Sequence, residues 1–246
     1  MKVVGIIQAR TGSTRLPGKV LLEVAGRPLL QHVIDRVLAA RLIKEVIVAT
    51  TTKQADDAIS TLAKHAGVGV FRGSEDDVLE RYYQAAQACG ADVVVRVTSD
   101  CPLADPQTLD QVILRFLDAQ RQPPRPDYVS NNLERTFPLG LDAEAFSFLA
   151  LDRAHKEAST PYEREHVTPY IREGGVGFRL LNLRHPWDLS FHRWTVDTAE
   201  DLTLVREIYH HLYRDSSIFH MYEVLHLFLD RPELFDINQK AHREAR

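Results

Sequence analysis

Val3-Val4-Gly5-Ile6-Ile7-Gln8-Ala9-Arg10-Thr11-Gly12-Ser13-Thr14-Arg15-Leu16-Pro17-Gly18-Lys19 joins an apolar run to a cationic, glycine-containing loop. Val3 to Ile7 carries no polar residue, which is how a strand reads when both faces are covered in a parallel sheet. Val46-Ile47-Val48-Ala49 and Val93-Val94-Val95-Arg96-Val97 read the same way. Helical stripes separate them. Leu30, Val33, Ile34, Val37 and Leu38 follow the helical period behind Pro28, a residue suited to a helix start. Val78, Tyr82, Ala85, Ala86 and Cys89 form a second stripe with Ser74 as its expected N-cap, and Leu109, Val112, Ile113, Phe116 and Leu117 a third after Asp105-Pro106. This alternation predicts right-handed βαβ units in an α/β, doubly wound, mostly parallel sheet. Ligands of such sheets bind at the carboxyl ends of the strands. Gln8–Lys19, Thr50-Thr51-Thr52 and Thr98-Ser99-Asp100 are therefore expected on one rim.

From about Gln120 the pattern changes. Gln122-Pro123-Pro124-Arg125-Pro126 reads as a stiff polar connector. Beyond it the sequence predicts a strand at Tyr128-Val129-Ser130, helices near Phe148–Lys156 and Tyr162–Glu173, and a β-run at Phe178–Leu183. Arg193-Trp194-Thr195-Val196-Asp197 reads as a strand returning to the sheet, before a long helix from about Ala199. The expected organisation is one domain over residues 1–212 with a small α+β insert at about 133–185, then a C-terminal helix and tail at 213–246. The tail from Arg231 to Arg246 is read as either disordered or docked on a partner subunit.

Composition narrows the function classes. The 246 residues are 44% hydrophobic and 26% charged, enough apolar material for a sizeable core. Thirty Lys and Arg against 34 Asp and Glu leave a formal charge of −4, so no global basic field draws the chain to nucleic acid. No apolar run has membrane-spanning length, and MKVVGIIQAR is too short and too soon charged for a signal peptide. The two cysteines, Cys89 and Cys101, make neither a disulfide framework nor a zinc set. A cytoplasmic enzyme or binding protein is the expectation.

The loop after the first strand carries the chemistry. Its glycines and small hydroxyl residues let main-chain N–H groups converge on an anion, and Arg10, Arg15 and Lys19 add three cations. That donor density suits a polyphosphate better than a single carboxylate. The glycine spacing is not that of a Walker A loop. Two aspartates complete the rim. Asp100, in Arg96-Val97-Thr98-Ser99-Asp100-Cys101-Pro102-Leu103, and Asp197, before Thr198-Ala199, are each either a cap or turn residue or a ligand of a divalent cation. Beside a triphosphate loop the pair suits Mg²⁺, which takes one or two carboxylates plus phosphate oxygens.

The stretches RTGSTRLPGKVL (10–21), VRVTSDCPL (95–103), YEREHVTPYI (162–171) and RWTVDTAEDL (193–202) resemble the sugar-acid cytidylyltransferases. These include the synthetases of CMP-sialic acid and CMP-3-deoxy-manno-octulosonate, and the spore-coat polysaccharide biosynthesis protein F branch is the best match in motif. The likeness runs in order from about Lys2 to Leu204. It implies a Rossmann-like, nucleotide-diphospho-sugar transferase-like fold. It also implies transfer of CMP from CTP to a sugar or sugar acid with release of pyrophosphate, in surface polysaccharide or glycan biosynthesis. The nucleotide would meet Gln8, Ala9, Arg10, Thr11, Gly12, Ser13, Arg15, Lys19, Arg72 and Thr98. Asp100 and Asp197 match the metal-binding carboxylates, and Arg10 and Lys19 join them as catalytic candidates. Asn131, Asp142, Glu144 and His166 are acceptor-side candidates, with Asp142 and Glu144 expected to alternate on a strand and face one pocket. Thr98-Ser99 replaces the Gln-Gly pair of the octulosonate synthetases, so their acceptor does not transfer. Family members are commonly homodimers through the insert.

Two other readings compete with this one: a glycosyltransferase of similar fold that uses a nucleotide-sugar, and a non-catalytic nucleotide-binding subunit. The first commonly holds metal through an Asp-x-Asp motif, where this chain has Ser99-Asp100-Cys101.

Overall fold

The apolar runs become strands at the middle of the sheet. In the computed structural model, which describes residues 1–174, 177–215 and 217–244, β1 (Val3–Gln8) leads through the cationic loop to a small ribbon of β2 (Glu23–Val24) and β3 (Arg27–Pro28). Then follow α1 (Leu29–Leu38), β4 (Glu45–Thr51), α2 (Asp57–His65), β5 (Gly69–Gly73), α3 (Val78–Ala88), β6 (Val93–Thr98) and α4 (Pro106–Ala119). The second half supplies β7 (Tyr128–Ser130), β8 (Glu144–Ser147), α5 (Phe148–Glu157), α6 (Pro161–His166), a π-helical turn at Tyr170–Gly174 and β9 (Leu180–Asn182). It ends with α7 (Ala199–Leu212), α8 (Met221–Asp230), a 3₁₀ turn at Pro232–Asp236 and α9 (Gln239–Glu244).

The main sheet has seven strands in the order β5-β4-β1-β6-β8-β7-β9. β5, β4, β1 and β6 are mutually parallel; β8 runs antiparallel to β6 and β7, and β9 is parallel to β7. The expected α/β fold with a mostly parallel sheet is what forms. The chain moves outward from β1 to β4 on one side and to β6 on the other. This reversal of direction opens a crevice at the carboxyl ends of β1 and β6.

Alternation along β1 feeds two cores. Val3 and Ile7 pack with α1, α4, α7 and α8 on one face, whereas Val4 and Ile6 pack with α3 and α5 on the other. Gly5 permits the close approach of α1, since a Cβ there would meet Val37 at 3.0 Å and Ile43 at 3.2 Å. Among the described residues no helix is long and apolar enough to cross a membrane.

Several local expectations are corrected. Asp77, not Ser74, caps α3: its side chain accepts from the Glu80 N–H, while Ser74 Oγ accepts from the Asp77 N–H. The helix expected over Tyr162–Glu173 breaks after His166, where Val167 takes φ +72°, a conformation a β-branched residue adopts only under strain. Arg193–Asp197 does not join the sheet as a strand; among the described residues its only β-pairing is an isolated bridge of Arg193 to Leu139, outside the sheet. The C-terminal segment is more than one helix and a loose tail. Leu234 and Asn238 are buried against the body of the same chain, while residues 245 and 246 of the expected tail lie outside the described residues.

Candidate active site

The loop after β1 is shaped by one buried carboxylate. Asp56 accepts from the Thr11 N–H at 2.8 Å, from Thr11 Oγ1 at 2.7 Å and from Thr51 Oγ1. Burial favours the neutral acid, but these hydrogen bonds prevail and hold Asp56 below the usual carboxylate range. The Thr11 carbonyl then accepts from Ser13 and Gly18, with Gly18 at φ +68°, so the chain curls back on itself. The N–H groups of Gly12, Thr14 and Arg15 donate to no protein acceptor among the described residues. They belong to the wall of a cavity of about 300 Å³, together with the carboxyl ends of β1 and β6. Free amides lining a concave wall suit an anion.

Across this cavity stands a charge cluster drawn from distant parts of the chain. Lys19 Nζ donates to Asp100 Oδ2 at 2.9 Å, to Asp197 Oδ1 at 2.8 Å and to the Val196 carbonyl at 2.8 Å. Arg15 reaches Asp197 Oδ1 at 3.1 Å, and Arg193 donates to Asp197 Oδ2 at 2.8 Å. Burial opposes charge on both partners. Even so, the two carboxylates hold Lys19 above the ordinary lysine value, and Lys19, Arg15 and Arg193 hold Asp197 below the usual carboxylate range.

Neither aspartate caps a helix. Thr198 caps α7 with Asp201 in a reciprocal capping box, and Asp105 caps α4. Both side chains are thus left to face the cavity, as sequence spacing alone could not decide. Asp201 braces the arrangement from behind, bonding Arg193 Nε at 2.9 Å, the Asp197 and Thr198 N–H groups at 3.0 Å, and Asn238 at 2.8 Å.

The cavity gathers Gln8, Ala9, Arg10, Gly12, Ser13, Arg15, Lys19, Thr98, Asp100, His166 and Asp197. Arg10 is shared between Glu75 at 3.9 Å and Glu165 at 3.6 Å, which ties the loop to the end of α6. His166 and Glu165 line the wall, whereas Glu163 is occupied in the capping box of α6 with Thr160.

Other expected residues stand elsewhere. Thr11 serves the loop's scaffold. Arg72 donates to the Thr51 and Lys53 carbonyls and pairs with Asp57, outside the cavity wall. Asn131 is fully buried and spends its amide on the Leu141 carbonyl and the Ala143 N–H. Asp142 and Glu144 do not share a pocket: Asp142 precedes β8 and pairs with Arg135, while Glu144 pairs inside the sheet with Arg96 and accepts from Tyr128 Oη. Trp194 is buried, but Trp187 is 68% exposed.

The structure also adds Thr14, Val20, Val78, Arg81, Ser99 and Glu165 to the wall. Val78 and Arg81 lie three apart on α3, a spacing legible in the sequence only once α3 is known to lean over β1. Nothing in the sequence marks Asp56, whose partners come together only through the β4–α2 connection.

The chain matches a family profile described as cytidylyltransferase over residues 4–227. It is 35% identical to the spore coat polysaccharide biosynthesis protein SpsF of Bacillus subtilis, over 83% of this chain and 85% of that protein. It is 37% identical to the 3-deoxy-manno-octulosonate cytidylyltransferase of Trichlorobacter lovleyi, over 48% of this chain and 46% of that enzyme. Among solved structures, a cytidylyltransferase from Leptospira borgpetersenii serovar Hardjo-bovis superposes with a TM-score of 0.89 at 34% identity, covering 96% of this chain and 97% of that one.

Proposed function

Since the chain belongs to the cytidylyltransferase family and is a nucleotidyltransferase, we propose that it transfers CMP from CTP to a sugar or sugar acid, releasing pyrophosphate, in the synthesis of a surface polysaccharide or other glycan. The name of the Bacillus subtilis relative supports the pathway, and that of the Trichlorobacter lovleyi relative supports cytidylyl transfer. One observation carries the reading: Asp100 and Asp197 converge on a single cationic atom, Lys19 Nζ, at the edge of a cavity walled by a cationic loop.

The metal reading fits this geometry. Two carboxylates that already share one cation and open on a cavity walled by free amides and cations suit the protein share of a Mg²⁺ site whose other ligands are phosphate oxygens. No third His, Cys, Asp or Glu joins them among the described residues. Asp100 and Asp197 would hold Mg²⁺, and the ion when bound supplies Lewis-acid polarisation of the phosphoryl group.

The rest of the task falls to the chain. The free amides of Gly12, Thr14 and Arg15 take the triphosphate oxygens, and Arg10, Arg15 and Lys19 offset the charge that builds on the departing pyrophosphate. The acceptor oxygen forms its bond to the α-phosphorus as the bond from that phosphorus to the pyrophosphate oxygen breaks, and the proton of the acceptor hydroxyl leaves to solvent. Little covalent chemistry is required of the protein, so holding the two substrates in line accounts for most of its contribution. His166 and Glu165 at the end of α6 stand where they can meet the acceptor.

The test is Asp100→Ala, assayed for pyrophosphate release with CTP, Mg²⁺ and a panel of sugars and sugar acids with a free anomeric hydroxyl. Turnover is expected to fall by roughly a thousandfold or more with the fold intact by circular dichroism. Undiminished release would overturn the role of Asp100. A thermal-shift screen of CTP, UTP, GTP and nucleotide-sugars with Mg²⁺ identifies the nucleotide, since a ligand that favours the native state raises its melting temperature.

A further inference from the structure

Arg81 is a buried cation without a counter-ion. It is 2% exposed, its Nη1 donates to the Ser74 carbonyl at 2.5 Å, and its Nε–H is buried with no hydrogen-bond partner among the described residues. The Ser74 carbonyl is its side chain's one hydrogen-bond acceptor, and no carboxylate pairs with it, among the described residues. Burial pushes its pKa below the ordinary arginine value; Arg10 adds to that, while Asp56 and Glu75 support its charge only at range. Burying such a group is costly unless something pairs with it.

A second orphan lines the same cavity. Gln8 ends β1 on the face shared by Val4 and Ile6, the face that packs against α3, and its Oε1 is buried without a partner. Gln8, Val78 and Arg81 thus stand on the α3 side of the sheet, whereas Val20, next to Lys19, and Val196, next to Asp197, pack with α7 on the other side. An unpaired guanidinium N–H beside an unpaired carboxamide oxygen suits a ligand that offers both acceptors and a donor. A phosphate offers only acceptors and would leave Gln8 Oε1 without a donor. A nucleobase edge offers an amino donor beside carbonyl and ring-nitrogen acceptors, and Val78 gives apolar surface for its face.

We propose that Gln8 and Arg81 are the base-reading pair of this site: Arg81 Nε–H donates to a carbonyl or ring nitrogen of the base, and Gln8 Oε1 accepts from its exocyclic amino group. This rests on the cytidylyl reading and deepens it. Cytosine carries that amino group, whereas uracil presents a carbonyl in its place, which Gln8 meets only by turning its amide over and giving up the orientation seen here.

Calorimetric titrations of the wild type, Gln8→Met and Arg81→Lys with CTP, UTP and inorganic tripolyphosphate, each with Mg²⁺, test the assignment. Both variants are expected to bind CTP about tenfold or more weakly while their affinity for tripolyphosphate stays at the wild-type value, and Gln8→Met is expected to narrow the preference for CTP over UTP. Equal losses toward CTP and tripolyphosphate would mark a phosphate-binding or purely structural pair and overturn the proposal, as would unchanged CTP affinity in both variants. A wild type that binds tripolyphosphate but no CTP would instead sink the cytidylyl reading itself, and the base-reading pair with it. Gln8→Met keeps the test decisive should Arg81→Lys fold poorly.

Discussion

Lys19 and Asp197 each carry a charge that neither could hold alone at their depth. The ammonium has three acceptors within 2.9 Å, and the carboxylate answers to Lys19, Arg15 and Arg193. Their pKa displacements therefore set a pH dependence whose sign follows from linkage. Asp197, lowered in the folded state, contributes stability that is present above the ordinary carboxylate value and lost as pH falls through its folded pKa. Lys19, raised in the folded state, contributes stability up to the ordinary lysine value and loses it only in the alkaline range above. Urea unfolding from about pH 7 down to about pH 3 should show the wild type losing stability in acid. Asp197→Asn should start lower and lose less over the same interval; identical acid slopes would show that Asp197 is not linked to folding. Both aspartates stood out in the sequence by their place after apolar runs, but the choice between cap and cavity residue was not legible there. It depends on Thr198 and Asp105 having taken the caps.

At the scale of elements, the seam between β6 and β8 is unusual for a sheet interior. Arg96 and Glu144 face each other in register and form an ion pair at 2.5 Å, with Glu144 1% exposed. Removing one partner from a buried pair leaves the other uncompensated, so Glu144→Ala should cost about 3–5 kcal/mol. The double replacement Arg96→Met with Glu144→Leu should cost much less, because it removes both charges and keeps the volume. Chemical denaturation of the three proteins checks this, and a double variant no better than the single one would argue that the seam depends on the charges themselves. The same seam explains why acceptor candidates were hard to read from the chain. Asn131, Asp142 and Glu144 look like a polar lining when read along the sequence. Antiparallel pairing of β8 with both β6 and β7, which no local pattern encodes, turns Glu144 into an internal fastening, while Asn131 ties the buried backbone and Asp142 pairs with Arg135 ahead of the strand. By contrast, β1, β4, β6, α1, α3 and α4 were legible because apolar runs and helical stripes are properties of short windows.

At the scale of the whole molecule, the C-terminal helices reach the site through the core. Phe228 of α8 stacks on Trp194 at 6.1 Å, and Asn238 donates to both the Arg193 carbonyl and Asp201 Oδ1. Arg193 and Asp201 in turn hold Asp197 in place. Asn238→Ala is expected to destabilise the protein by about 1–3 kcal/mol, since it leaves buried partners unsatisfied, and to weaken binding of CTP with Mg²⁺. Unchanged CTP affinity in a measurably destabilised variant would show that the C-terminal brace is independent of the site.

The sequence by itself determined the parallel core of the sheet, the rim on which the cationic loop is displayed, and the motifs that name the family. All of these are written in contiguous stretches, where periodicity and motif spacing act. Only the tertiary structure decided that Asp100 and Asp197 share one cation, that Asp56 shapes the loop, and that Arg81 Nε and Gln8 Oε1 are left without partners at one cavity among the described residues. Each of these depends on which buried polar groups find partners across distant segments, and that is settled when the whole chain packs.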